Sequence, residues 1–207
     1  TILILVFSFT SFGQLKSNQT YNYKELIEVY KSLADKHKEI ELYAMGESDY
    51  GLPIYLCIVN GAQDSIKSFE KARTSTTLLI NNAIHPGEPD GVNACLEIIN
   101  EWIENGKRTQ ALPVIAIIPA YNVGGMMVRS GTSRANQDGP EEYGFRGNTQ
   151  NLDLNRDFVK MDSKNMFTFA KIYHALEPDV FIDTHVSNGA DYQYTVSYIA
   201  NIKERMA

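Results

Sequence analysis

Thr77-Leu78-Leu79-Ile80-Asn81-Asn82-Ala83-Ile84-His85-Pro86-Gly87-Glu88 runs from apolar residues into a turn that carries two strong metal ligands. A short apolar run bounded by turn residues reads as a buried strand. Pro86 and Gly87 favour a sharp turn, because Pro fixes φ and Gly tolerates positive φ. Such a turn lets a strand-end imidazole and a helix-start carboxylate face one ion. Further along, Val180-Phe181-Ile182 leads in the same way into Asp183-Thr184-His185. In open α/β sheets the ligand crevice lies beyond the carboxyl ends of such strands. Two imidazoles and one carboxylate there, His85, Glu88 and His185, form the three-ligand set of a catalytic zinc with a fourth position open.

The spacing of His85 and Glu88 is not specific by itself, because His174-Ala175-Leu176-Glu177 repeats it. That copy ends a helix-like run stopped by Pro178, so His174 reads as a last-turn residue favoured by the helix dipole. His37, in Asp35-Lys36-His37-Lys38, reads as a solvated surface residue. A third stretch, Leu152-Asp153-Leu154-Asn155-Arg156, gives the pair of ligand runs its meaning. Asn155 and Arg156 are adjacent polar residues among the apolar Leu152, Leu154 and Phe158. An Arg there offers a planar fork suited to gripping a carboxylate with two hydrogen bonds. Its competing role is an ion pair with Asp153 or Asp157.

These residues resemble the zinc carboxypeptidases of the carboxypeptidase A-like (funnelin) type, and the resemblance runs from about Tyr23 to the end of the chain. His85-Pro86-Gly87-Glu88 is similar to the family's His-x-x-Glu ligand motif. Leu152-Asp153-Leu154-Asn155-Arg156-Asp157-Phe158 resembles its Asp-x-Asn-Arg segment, and Asp183-Thr184-His185 its third-ligand segment. The three together, in order, are far more specific than any one alone. The resemblance implies one zinc ion on His85, Glu88 and His185. It also implies that Asn155 and Arg156 hold the substrate's terminal carboxylate. Asp153 would then hydrogen-bond His85 and fix its tautomer.

The family also places an Arg upstream of the Asn-Arg pair, where it stabilises the oxyanion of the scissile carbonyl. Arg146, in Gly144-Phe145-Arg146-Gly147-Asn148, is the candidate, with Arg129 and Arg134 as rivals in a loop of variable length. One departure is visible: Asn122-Val123-Gly124-Gly125 stands where relatives often show Asn-Pro-Asp-Gly. In this family a Glu late in the domain acts as general base and a late-loop Tyr closes over the substrate. Few residues follow His185, and the chain starts Thr1-Ile2-Leu3 without Met. The expectation is therefore a part of a longer protein, inactive as these 207 residues alone, with the base unnamed. Glu204 lies too close to His185 in sequence to serve.

Composition fits an exported enzyme. The 207 residues, 43% hydrophobic and 21% charged, suit one domain with a sizeable core. A formal net charge of −6 without Lys/Arg clusters argues against nucleic acid and anionic membranes as partners. The apolar start, too short to span a bilayer, ends in Ser11-Phe12-Gly13 and resembles a secretory segment with its cleavage site. The organisation expected is a partial signal peptide over 1–13 and the N-terminal portion of the catalytic domain over 14–207. That predicts a secreted or periplasmic protein. Cys57 and Cys95 read as small core residues, with a bridge open but not deducible from two cysteines. Oligomeric state is not legible.

Coarse periodicity predicts helices over 23–38, 89–104 and 163–176. A strand pair is expected over 41–48 and 54–59, buried strands over 78–83, 114–118 and 180–183, and a further strand over 192–199. The alternation predicts an α/β fold: a mixed, mostly parallel sheet with helices on both faces, incomplete at its C-terminal end. Residues 124–150, rich in Gly, Asn and Ser, are too long for a simple connection and read as a functional loop. The expected function is zinc-dependent hydrolysis of a C-terminal peptide bond. The alternatives are a zinc amidohydrolase of the aspartoacylase, desuccinylase or murein-peptide amidase type, and an inactive peptide-binding homologue. The partner would be a peptide or small amide with a free carboxylate.

Overall fold

The chain is described by a computed structural model over residues 18–104, 113–135, 137–187 and 193. The expected secretory segment at 1–13, the expected strand at 192–199 and Glu204 lie outside the described residues.

Helix α1 (Tyr23–Lys36) starts at Asn22, whose side chain accepts from the Glu25 N–H while the Glu25 carboxylate accepts from the Asn22 N–H, both at 3.0 Å. This reciprocal cap satisfies two donors that a helix start otherwise leaves orphaned. Leu26, Ile27, Tyr30 and Leu33 form its buried stripe, and His37 ends it in an extended conformation. Strands β1 (Ile40–Glu47) and β2 (Pro53–Val59) pair antiparallel, the strand pair expected around the turn residues between them.

Helix α2 (Ser65–Thr74), which the apolar pattern does not announce, follows an Asp64 cap. It buries only Ser68 and Ala72, so it carries no apolar stripe to read. Then come β3 (Thr77–Asn81), α3 (Asp90–Glu104), β4 (Val114–Ile118) and the short α4 (Val123–Met127). A small hairpin of β5 (Arg129–Ser130) and β6 (Tyr143–Gly144) follows, then a 3-10 turn at Leu154–Arg156, α5 (Lys164–Leu176) and β7 (Val180–Asp183). The loop expected over 124–150 thus contains a helix end and a hairpin.

The main sheet has the order β1-β2-β4-β3-β7 among the described residues. β3 pairs parallel with β4 and β7, whereas β2 pairs antiparallel with β1 and β4. It is a mixed α/β sheet layered with helices, and β4 is buried at every position. The expectation of a buried β7 is corrected: Val180, Phe181 and Ile182 are 49%, 36% and 43% exposed. Its one strand neighbour among the described residues is β3, so its apolar face is covered only in part. Phe181 meets Phe158, Phe169 and Tyr173 through edge contacts.

The carboxyl ends of β3 and β7 emerge side by side, and backbone pairing continues past both. Thr184 N–H donates to Asn81 O at 3.0 Å, Asn82 N–H to Ile118 O at 3.1 Å, and Tyr121 N–H to Asn82 O at 2.9 Å. Ala83 then takes a left-handed φ of 57° and turns the chain off the sheet toward His85.

Candidate metal centre

The turn after β3 delivers His85 and Glu88, with Glu88 N–H donating to His85 O at 2.9 Å. The extended segment after β7 delivers His185. One donor atom from each of the three lies within 4.8 Å of the others, the one such group of three among the described residues. Both imidazoles aim Nδ1 at the carboxylate: His85 Nδ1 is 3.2 Å from Glu88 Oε1, and His185 Nδ1 is 3.0 Å from Glu88 Oε2. His85 and Glu88 are buried, and His185 is 34% exposed, so the group is open on the His185 side.

The far nitrogens are also engaged. His85 Nε2 lies 3.0 Å from Asp153 Oδ1, and His185 Nε2 lies 2.9 Å from Asp183 Oδ2. With a cation on Nδ1, the carboxylate at Nε2 would hold the ring proton there; without one, Nδ1 can donate to Glu88. Asp153 is itself fixed by Arg146, whose Nε and Nη2 donate to Oδ2 at 3.1 and 2.8 Å, and by the Asn155 N–H at 3.0 Å. Asp183 accepts from Asn81 Nδ2 at 2.9 Å.

Charge follows from these contacts. Burial alone would raise the Glu88 carboxyl, but hydrogen bonds from His85, Val186 N–H and His185 outweigh it and hold it down at about 2. Asp153 is likewise held down at about 2, burial being overcome by His85, Arg146 and the Asn155 N–H. Asp183 goes the other way: burial raises it against the pull of His185 and Asn81. Two imidazole nitrogens and an ionised carboxylate at mutual contact distance, each imidazole backed by a carboxylate, fit a divalent zinc.

The other predicted residues arrange themselves around this group. Asn155 Nδ2 stands 3.5 Å from His185 Nε2. Arg156 is exposed and donates to the Asn155 carbonyl at 3.0 Å. Neither carboxylate that competes for it takes it: Asp153 holds Arg146, and Asp157 accepts from Ser163 and Asp162. Arg146 reaches to 3.4 Å from His85 Nδ1 and 3.9 Å from Glu88 Oε1 and is 41% exposed. Of its rivals, Arg129 is spent on the Thr20 and Tyr21 carbonyls, the Thr20 hydroxyl and the Glu142 carbonyl. Arg134 enters the group, donating from Nη1 to Glu88 Oε1 at 2.8 Å. His174 stays in the last turn of α5, outside the metal group. Cys57 and Cys95 are buried and unbridged.

Two features escape the sequence. Gly87 does not use a positive φ, as its turn residue type suggests; a Cβ there would stand 2.7 Å from Arg134 Cδ and 3.1 Å from Gly144 O. The turn needs a small residue for close approach, and only the fold shows what approaches. Asn122, fully buried, donates from Nδ2 to Ile84 O at 3.3 Å and to Arg146 O at 3.0 Å, and accepts from Gly125 N–H. It ties the ligand turn to the Arg146 loop; the sequence shows it only as a helix-capping residue type at the head of Asn122-Val123-Gly124-Gly125, with no sign of what it bonds.

Comparison with solved structures places the chain beside carboxypeptidases. A metallo-carboxypeptidase from Burkholderia cenocepacia superposes with a TM-score of 0.62 at 16% identity, over 84% of this chain and 43% of that one. A metallo-carboxypeptidase from Pseudomonas aeruginosa, in complex with (2-guanidinoethylmercapto)succinic acid, gives 0.60 at 18% identity over 83% and 41%. Bovine thrombin-activatable fibrinolysis inhibitor gives 0.60 at 15% identity over 82% and 62%. The chain therefore spans less than two thirds of each of these relatives. At such identities the likeness concerns the fold. No curated protein sequence matches the chain closely enough to count as a relative. The family model for zinc carboxypeptidases matches residues 26–186, a span that takes in His85, Glu88, Arg146, Asp153, Asn155, Arg156 and His185. The chain belongs to the zinc carboxypeptidase family.

Proposed function

We propose that the protein is a metallocarboxypeptidase that removes the C-terminal residue of a peptide, with one zinc held by His85, Glu88 and His185. The observation that carries the reading is the convergence of those three donors with Asn155 and Arg146 at their edge. When bound, zinc supplies a Lewis acid for the carbonyl and lowers the pKa of coordinated water toward neutrality. Arg156, exposed and not claimed by Asp153 or Asp157, offers its fork to a terminal carboxylate, and Asn155 adds an amide donor beside it. Fixing that carboxylate aligns the scissile bond, a positioning effect that can supply much of the rate. Arg146 keeps Nε and Nη2 on Asp153, which leaves Nη1 to face the site and stabilise charge developing on the carbonyl oxygen.

The test is turnover of one peptide with a free and with an amidated C-terminus by the full-length protein, zinc supplied. The free acid should be strongly preferred, and Arg156→Ala should erase most of that preference through KM. Equal turnover of the two peptides would overturn the carboxypeptidase assignment and point to a different zinc amidohydrolase.

A further inference from the structure

Arg134 sits in the loop between β5 and β6, yet its guanidinium lies against the buried carboxylate of Glu88, Nη1 to Oε1 at 2.8 Å, with only 11% of the side chain exposed. Glu88 Oε2 is held from another direction, by the Val186 N–H at 3.1 Å. Both oxygens are therefore fixed by donors on segments remote in sequence. The Arg134 stem passes directly over Gly87, so close that a Cβ on Gly87 would stand 2.7 Å from Arg134 Cδ.

The backbone that carries Arg134 is anchored as firmly. Its N–H donates to the hydroxyl of the fully buried Tyr143 at 3.1 Å, and its carbonyl accepts the Gln137 N–H at 3.2 Å. Gln137 Nε2 in turn donates to Gly87 O at 3.1 Å. The loop thus grips the ligand turn twice, once on the Glu88 carboxylate and once on the Gly87 carbonyl.

We infer that Arg134, supported by Gln137, is a positioning residue that sets the Glu88 carboxylate for the metal. This rests on the reading of Glu88 as a zinc ligand. A Glu side chain is long and rotamer-rich, and a planar, permanently charged fork on one oxygen holds it in a single orientation before a cation arrives. Arg146 does not take this work. It is 41% exposed, keeps two nitrogens on Asp153 and stands 3.9 Å from Glu88. Arg134 is largely buried and directs Nη1 to Glu88, so it acts through the ligand rather than on a substrate.

The test is zinc affinity of the full-length protein by competition with a chromophoric chelator, with circular dichroism to verify folding. Arg134→Ala should weaken zinc binding by about tenfold or more, the usual cost of removing a group that orients a metal ligand. Arg134→Lys, which keeps the charge without the fork, should recover part of the loss. In a Glu88→Gln background Arg134→Ala should add no further loss, because its effect passes through Glu88. Wild-type affinity in Arg134→Ala, or an equal loss in both backgrounds, would overturn the inference while leaving Glu88 a ligand. Wild-type affinity in Glu88→Gln would overturn the ligand assignment itself and the inference with it.

Discussion

Arg146 and Arg156 border the same metal group, but their partners assign them different work. Arg146 is braced by two hydrogen bonds to Asp153 and points Nη1 inward, whereas Arg156 donates to a neighbouring carbonyl at the rim. Arg146→Ala should lower kcat about a hundredfold or more, as when an oxyanion donor is lost. Zinc content by elemental analysis should stay near wild type. A kcat within a few-fold of wild type would return Arg146 to a purely structural role. Asp153→Asn should weaken zinc by about tenfold to a hundredfold, because the group that orients His85 is replaced by a neutral one. Chelator competition measures it, and unchanged affinity would mean that Asp153 only anchors Arg146. At this scale residue type and order make the candidate ligands legible, since imidazole and carboxylate chemistry belongs to the side chain. The partners Asn122 and Arg134 are not legible, because nothing in their own residue type says which buried carbonyl or carboxylate they will meet.

Helix α5 shows how an element is pinned beneath the site. Ser163 caps it by accepting the Met166 N–H at 3.0 Å, and its hydroxyl donates at 2.5 Å to Asp157, which also accepts the Asp162 and Ser163 N–H groups. Ser163→Ala should cost about 1 kcal/mol, a typical loss for a capping residue, read from a denaturant midpoint. Burial pushes the Asp157 carboxyl up, but those donors overcome it and leave it below its ordinary value. A depressed folded pKa means that the unfolded chain binds the proton more tightly. The stabilisation is therefore complete above the unfolded Asp value, about 4, and drains away as pH falls through the lower folded value. Thermal scans from neutral pH downward should show a falling Tm. Asp157→Asn should start lower and fall less steeply, and a parallel fall in both would remove Asp157 from the account. Amphipathic α1, α3 and α5 are visible in sequence because their period matches their burial, and β1 and β2 because turn residues separate them. Helix α2 is not, because it buries only Ser68 and Ala72, and β7 reads as buried although its apolar residues are exposed.

Across the whole molecule the metal group joins segments that only the sheet brings together, the turn after β3 and the extension of β7, with Asp153 braced from the loop before α5. An ion held between them should stabilise the native state by mass action, about 2.7 kcal/mol when free zinc is a hundredfold above Kd. A chelator should therefore lower Tm in the wild type and leave His185→Ala, already lower, unmoved. An equal chelator effect in both would place the stabilising ion elsewhere. The chain by itself determined the alternation of elements, the family and the donors, because periodicity, turn chemistry and side-chain basicity are local properties. The structure alone decided that both imidazoles present Nδ1, that Arg129 leaves the site while Arg134 enters it, and that Gly87 is there for close approach. Those outcomes depend on the parallel pairing of β3 with β7 and on the path of the β5–β6 hairpin. They are contacts between residues far apart in the chain, and pattern along a sequence carries no record of distance across a fold.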